Sequence, residues 1–336
     1  ETLADDLAWY IEKDWSTGAQ RTDAPVLEPF SYARYWHGYL IWLRPLLLLM
    51  PYTGVRIVQY IVLLALLAVV LVQLRRRCGL RAAVWFAVSQ LAVSVWFVPH
   101  QVQYFTCFMI AYAGCAWVLA KPRRSDVLCL GLLVLGTVTA FCDLLVTPII
   151  TLGLPLTCWL LEPQQRLRGG VPQCALAVGG SLCWGTGYAL CWAGKWALAG
   201  AVTNNNVLAD ALHQAEVRTT ADTWHGMELT WRNIFIFLYD TLNSHHLFWP
   251  ALAVLAVLIA LFILSIRSKT ALVRALPLAL TTCMTPAWFV LLRTHSIQHG
   301  WFTWRALGLT VFAGLAFLYY ACDLRAARRR LQKGSI

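Results

Sequence analysis

Apolar runs of about 20 residues recur along this chain of 336, and the short stretches between them alternate in charge. Coiled as an α-helix, a run of that length crosses a hydrocarbon core of about 30 Å and satisfies its own backbone groups where water is absent. Windows of this kind lie at 55–74, 82–98, 103–120, 127–142, 145–161, 173–197, 247–266, 272–292 and 303–322. Composition agrees, because 59% hydrophobic residues, 13% charged residues and a mean hydropathy of +0.61 exceed what one soluble core can bury. The polar alternation that spanning β-strands require is missing. These patterns predict an all-α, polytopic bundle of about nine transmembrane helices, with amphipathic helices on its outer face.

Charge gives the bundle a direction. One set of connections carries Arg75, Arg76, Arg77 and Arg81, then Lys121, Arg123 and Arg124, then Arg166 and Arg168, then Arg267, Lys269 and Arg274, and finally the tail from Arg325 to Lys333. The positive-inside rule assigns all of these to the cytoplasm, with the N-terminal segment outside. The net charge of +11 is then a topology signal and not a nucleic-acid surface. The tail residues Arg328, Arg329 and Arg330 also suit anionic headgroups of membrane lipids. An outer N-terminus calls for a removed signal sequence or a span before Glu1, and a missing first span is the preferred reading. Two regions follow: an acidic, interfacial segment at 1–53, and a transmembrane domain at 54–336 interrupted by a long outer loop at 200–246. Inside that loop, 207–217 predicts a short helix and 233–239 an apolar stretch too short to span.

Ionisable groups beside spans are expensive, and here they collect in the outer connections. Asp5 and Asp6 open the chain, and Arg34 and His37 sit in the aromatic stretch 32–39. Arg44 interrupts a run of leucines, His100 and Asp143 each mark a short connection, Lys195 lies between two tryptophans, and His295, His299 and Arg305 occupy the last one. Carboxylates able to take a proton beside cations able to hold a phosphate suit a phosphorylated lipid approached from the membrane. Plainer roles exist for several of them. Asp5 and Asp6 fit a helix cap, Lys195 fits interfacial snorkelling, Arg44 before Pro45 fits the start of a surface helix, and Asp143 fits turn chemistry before Pro148. His295 and His299 share a helical face without an acid between them, so no metal site is expected. The 11 cysteines lie mainly inside spans and read as small hydrophobes. No phosphate-binding loop, nucleophile elbow or paired-histidine metalloprotease motif is present.

The many spans, the acidic first outer segment with its amphipathic stretch, the long late outer loop, and the stretches 32–47, 141–156 and 295–309 together resemble the GT-C class of integral-membrane glycosyltransferases. The resemblance implies a bacterial plasma-membrane enzyme that moves a sugar, with inversion, from a polyprenyl-phosphate donor to a glycan or lipid acceptor. It implies Asp5 or Asp6 as general base, with Asp143 as a second acid. Arg34, Arg44, Lys195, His295, His299 and Arg305 would contact the lipid phosphate, and His37 and His100 the substrate hydroxyls. A divalent cation is the one cofactor such a site leaves open. One departure stands out: in that class the acid follows the first transmembrane helix, which this chain does not supply. The competing reading is a transporter or flippase of a lipid-linked or small polar substrate, which needs helices broken at mid-span. A non-catalytic assembly subunit is a weaker third. The enzyme reading expects one outer cavity shared by Asp5 or Asp6, Lys195, His295 and Arg305. The orientation itself predicts that a thiol introduced by Ser244→Cys reacts with an impermeant maleimide on intact cells, above the wild-type background. A C-terminal tag should become accessible only after permeabilisation, and the opposite pattern inverts the topology.

Overall fold

Helices break where lipid-soluble sequence gives way to arginine, proline or glycine. The structure, a computed structural model, describes residues 34–167, 170–203, 206–220, 223–224, 227–228, 230–266 and 268–323. In chain order the helices are α1 (Leu40–Leu49), α2 (Tyr52–Arg77), α3 (Leu80–Ala92), α4 (Val102–Ala120), α5 (Ser125–Cys142), α6 (Ile149–Leu160), α7 (Pro163–Leu167) and α8 (Gly170–Thr203). Then come α9 (Val207–Thr220), α10 (Trp231–Ser244), α11 (Phe248–Ser265), α12 (Lys269–Leu291), α13 (Arg293–Gln298), α14 (Gly300–Thr303) and α15 (Leu307–Ala321). The strands β1 (Thr223–Trp224) and β2 (Met227–Glu228) pair antiparallel inside the long loop. That loop carries the short helix its sequence predicts, as α9, and its apolar stretch 233–239 lies within α10.

The chain is a polytopic helical membrane protein, but with fewer candidate spans than nine. Among the described residues six segments are long and apolar enough to cross: α2, α4, α5, α8, α12 and Gly300–Ala321. A seventh arises if Arg232–Ser244 and Phe248–Ala260, bent by 113°, are taken as one broken span. Length explains the shortfall. The windows at 82–98 and 145–161 form helices of only 13 and 12 residues, α3 and α6. At 1.5 Å per residue these reach about 20 and 18 Å, well under a 30 Å core. Helix α6 escapes that mismatch because every one of its residues is buried, so protein and not lipid surrounds it.

Burial is inverted relative to a water-soluble protein. Leu48, Ile61, Leu182 and Ile263 are exposed, whereas Gln59, Gln90, Thr139, Thr151 and Thr157 are buried. Most of those polar groups are answered internally, as a medium without water demands. Thr139 donates to Thr151 (2.8 Å), Trp184 Nε1 donates to the same hydroxyl (3.0 Å), and Thr151 donates to the Pro148 carbonyl (2.8 Å). Tyr112 donates to Gln90 (2.6 Å), which donates to Ser89 (2.9 Å).

The most extensive helix contact joins α5 to α8, and glycines permit it. A Cβ at Gly136 would strike the Trp184 carbonyl, and one at Gly187 the Leu133 carbonyl. Thr137 bridges the same seam, donating to Leu133 O (3.0 Å) and Gly187 O (3.3 Å). Small residues that let backbones touch replace the hydrophobic effect as the adhesive between helices in lipid.

At the arginine-rich end, basic side chains also fasten elements together. Arg77 closes α2 onto buried Glu162 through two bonds, Nε to Oε1 (2.6 Å) and Nη2 to Oε2 (2.7 Å). Trp159 Nε1 donates to Arg123 O (3.2 Å), and Arg123 covers the Trp117 ring. These arginines therefore hold the bundle together.

Gly136→Val and Gly187→Val should each lower thermal stability in detergent by about 1–3 kcal/mol, the usual cost of overpacking. Gly179→Ala and Gly185→Ala, whose added methyl meets nothing within 4 Å, should not. Equal effects from both pairs would refute the seam.

Candidate functional site

The end of the bundle opposite Arg77 and Glu162 is organised by the turn after α5. Asp143 caps it: Oδ2 accepts from the Val146 amide (2.9 Å), and Oδ1, also buried, has no hydrogen-bond partner. Leu145 adopts φ +64°, a left-handed conformation that costs an L-residue roughly 1–2 kcal/mol. That twist points its carbonyl at His295, whose Nε2 lies 2.7 Å away. Since a carbonyl only accepts, Nε2 carries the hydrogen.

A chain of rings runs on from His295. Its imidazole lies 4.8 Å from His299, which stacks on Phe302 at 5.2 Å and 19°. Phe302 packs against Tyr104, and the Arg305 guanidinium covers both Tyr104 (5.2 Å) and Trp304 (5.0 Å). Arg305 is only 7% exposed; Nη1 donates to Trp301 O (3.1 Å), Nε has no partner, and no carboxylate among the described residues pairs with it. His245 packs on Trp304 at 5.2 Å, and burial together with the Arg305 charge pushes its imidazole pKa down.

A second group lies on α8, where Trp184, Tyr188, Trp192 and Trp196 form a ladder at four-residue spacing. Tyr35 meets Trp192 edge-on, Trp36 Nε1 donates to Cys191 O (2.8 Å), and Lys195 Nζ sits 5.1 Å above the Trp36 ring. Arg34 covers Tyr35 and pairs with Asp210 of α9 at 2.9 Å. Gly38 fits flush against Phe141, where a Cβ would collide. Asp143 lies close enough to Tyr188 and Cys107 to act on both electrostatically, so the two groups adjoin.

A cavity of about 290 Å³ opens beside them, lined by Tyr39, Tyr52, Arg56, His100, Gln103 and Leu144 among others. Arg56 Nε donates to His100 O (3.1 Å), and the Tyr60 hydroxyl meets the His100 ring (3.0 Å). His37 contacts Tyr39 through Nδ1 at 3.4 Å.

The sequence-derived residues thus fall into separate places. Asp143, His295, His299 and Arg305 form one run; Arg34 and Lys195 belong to the aromatic ladder; His100 and the neighbour of His37 line the cavity. Arg44 is exposed on α1 among exposed leucines, apart from all of these. None of Lys195, His295 and Arg305 lines the cavity, and Asp5 and Asp6, expected to share one with them, lie outside the described residues. Sequence reading passed over Tyr104 and Asp210. The ladder was visible as four aromatics at i, i+4 spacing, whereas Tyr104 and Asp210 carry no such signal, being met by Arg305 and Arg34 from distant parts of the sequence. Among the described residues no three histidine, cysteine, aspartate or glutamate side chains gather closely enough to hold a metal ion.

Set against family models, curated proteins and solved structures, this chain finds no match. The geometry therefore defines its class, a polytopic helical membrane protein with polar and aromatic groups massed at one end.

Burial pushes the Asp143 carboxyl up to about 7, against the opposing pull of the nearby Val146, Leu144 and Leu145 amides. The unfolded group releases its proton near 3.8. Between those values the fold binds the extra proton, so stability falls as pH rises through the window and stays lower above it. Thermal unfolding in micelles should show a loss approaching about 4 kcal/mol between pH 4 and 7. In Asp143→Asn that loss should be much smaller. An unchanged slope in the variant would assign the titration to another group.

Proposed function

We propose that the protein is a membrane glycosyltransferase that takes a sugar from a polyprenyl-phosphate donor, on the face opposite its arginine-rich end, and passes it to a glycan or lipid acceptor. The observation that carries this reading is Arg305, a cation buried between two rings and paired with no carboxylate among the described residues. Burying an unpaired charge costs several kcal/mol, so such a group is retained where an anion arrives to meet it. A lipid phosphate entering from the bilayer supplies that anion. The acceptor hydroxyl attacks the anomeric carbon, its proton passes to a carboxylate, and the sugar–phosphate bond breaks to release polyprenyl phosphate, whose charge Arg305 offsets. Asp143, with a carboxyl that titrates near neutral pH, fits the proton-accepting role; the resemblance to GT-C enzymes supports Asp5 or Asp6 for the same step.

One observation favours a second reading, the flippase. The chain is broken by the 113° bend between α10 and α11 and again through α13 and α14, and Pro277 and Pro286 lie inside the continuous helix α12. Interrupted helices are a feature of transport pathways.

Proteoliposomes given polyprenyl-phosphate hexoses and pentoses, labelled in the sugar, separate the two. Under the enzyme reading labelled sugar leaves the carrier, and Arg305→Gln lowers the rate at least tenfold while Asp143→Asn shifts its pH profile. Movement of intact donor between leaflets without cleavage favours the flippase. Full activity in Arg305→Gln sinks the assignment.

A further inference from the structure

At the arginine-rich end, far from Asp143 and Arg305, a cavity of about 300 Å³ is lined by Gln165, Arg166, Gln173, Thr270, Arg274 and Tyr320, among others. We propose that it binds a polyol phosphate, either as a phospholipid headgroup such as phosphatidylglycerol or as a free glycerol phosphate.

Cationic donors line one part of it. Arg166 is held in place, its Nη1 donating to the Tyr320 hydroxyl (2.6 Å) and its guanidinium lying over that ring, which leaves Nε buried without a partner. Arg274 is exposed at the rim, and no carboxylate among the described residues pairs with it. The N-terminus of α12, a helix of 23 residues, opens onto the same cavity through Ser268 and Thr270. Ser268 Oγ accepts from Ala271 N (3.1 Å), so the cap leaves the preceding amides of the first turn for another acceptor. No lining residue carries a negative charge.

Gln173 narrows the ligand further. It is 2% exposed, and its Nε2 donates to both the backbone and side-chain oxygens of Gln165 (3.2 Å each). Turning the amide over would set carbonyl against carbonyl, so the orientation is fixed and Oε1 is left buried and unsatisfied. A phosphate diester, or a fully ionised phosphate, has no hydrogen to give a carbonyl oxygen. A phosphate carrying a neighbouring hydroxyl satisfies everything: its oxygens meet Arg166, Arg274 and the α12 terminus, and its hydroxyl donates to Gln173. This site stands whether or not the transfer reading of the opposite end holds.

Native mass spectrometry of the full chain, titrated with short-chain phosphatidylglycerol, phosphatidic acid, phosphatidylcholine and, separately, sn-glycerol 3-phosphate, tests it. Phosphatidylglycerol should bind about tenfold more tightly than phosphatidylcholine, and exposed Arg274→Gln should remove most of that advantage. Gln173→Met should abolish the preference for phosphatidylglycerol over phosphatidic acid, which lacks the hydroxyl, while keeping the preference for anions. Competition by sn-glycerol 3-phosphate, lost in Arg274→Gln, identifies the soluble ligand; its failure to compete identifies the headgroup. Phosphatidylglycerol binding no tighter than phosphatidylcholine, or unchanged in Arg274→Gln, overturns the site. An unchanged lipid preference in Gln173→Met overturns the hydroxyl assignment.

Discussion

The withdrawal of water governs this protein. Hydrocarbon offers no hydrogen-bond partner, so each helix must satisfy its own backbone, and polar side chains must find one another. The Thr139–Thr151–Trp184 and Tyr112–Gln90–Ser89 networks are the local result. With apolar surface equally content against lipid, helix contact depends on close approach, and Gly136 and Gly187 provide it between α5 and α8.

Within that medium the two ends of the bundle are built differently. At one end arginines meet a buried carboxylate and aromatic rings, as Arg77 does at Glu162 and Arg166 at Tyr320, and their charges fasten elements. At the other, a left-handed residue, Leu145, aims a carbonyl at His295 and so docks the α13–α14 segment against the α5–α6 turn. The consequence reaches Arg305 through His299, Phe302 and Tyr104, because stacked rings transmit position with little freedom to relax.

Much of the candidate site was legible because charge beside a span is rare enough to be conspicuous. Asp143, His295, His299 and Arg305 stood out on that ground and do share one neighbourhood. Arg44 stood out equally, yet a leucine-rich run with an arginine reads alike whether it lies on the surface or in a pocket, and here it is exposed. Tyr104 and Asp210 were invisible, since a tyrosine inside an apolar helix and an acid in a loop acquire meaning only when Arg305 and Arg34 arrive beside them.

The sequence by itself determined the solvent and the helical class, through hydropathy and the length of its apolar runs, because transfer of backbone into lipid leaves few conformations. Tertiary structure decided how many of those runs are candidate spans. Hydropathy cannot distinguish a helix facing lipid from one enclosed by protein, and α6, apolar throughout and only 12 residues long, is buried by its neighbours on every side. Tertiary structure also decided which polar groups meet, because each meeting depends on the angle of a turn or the absence of a Cβ tens of residues away.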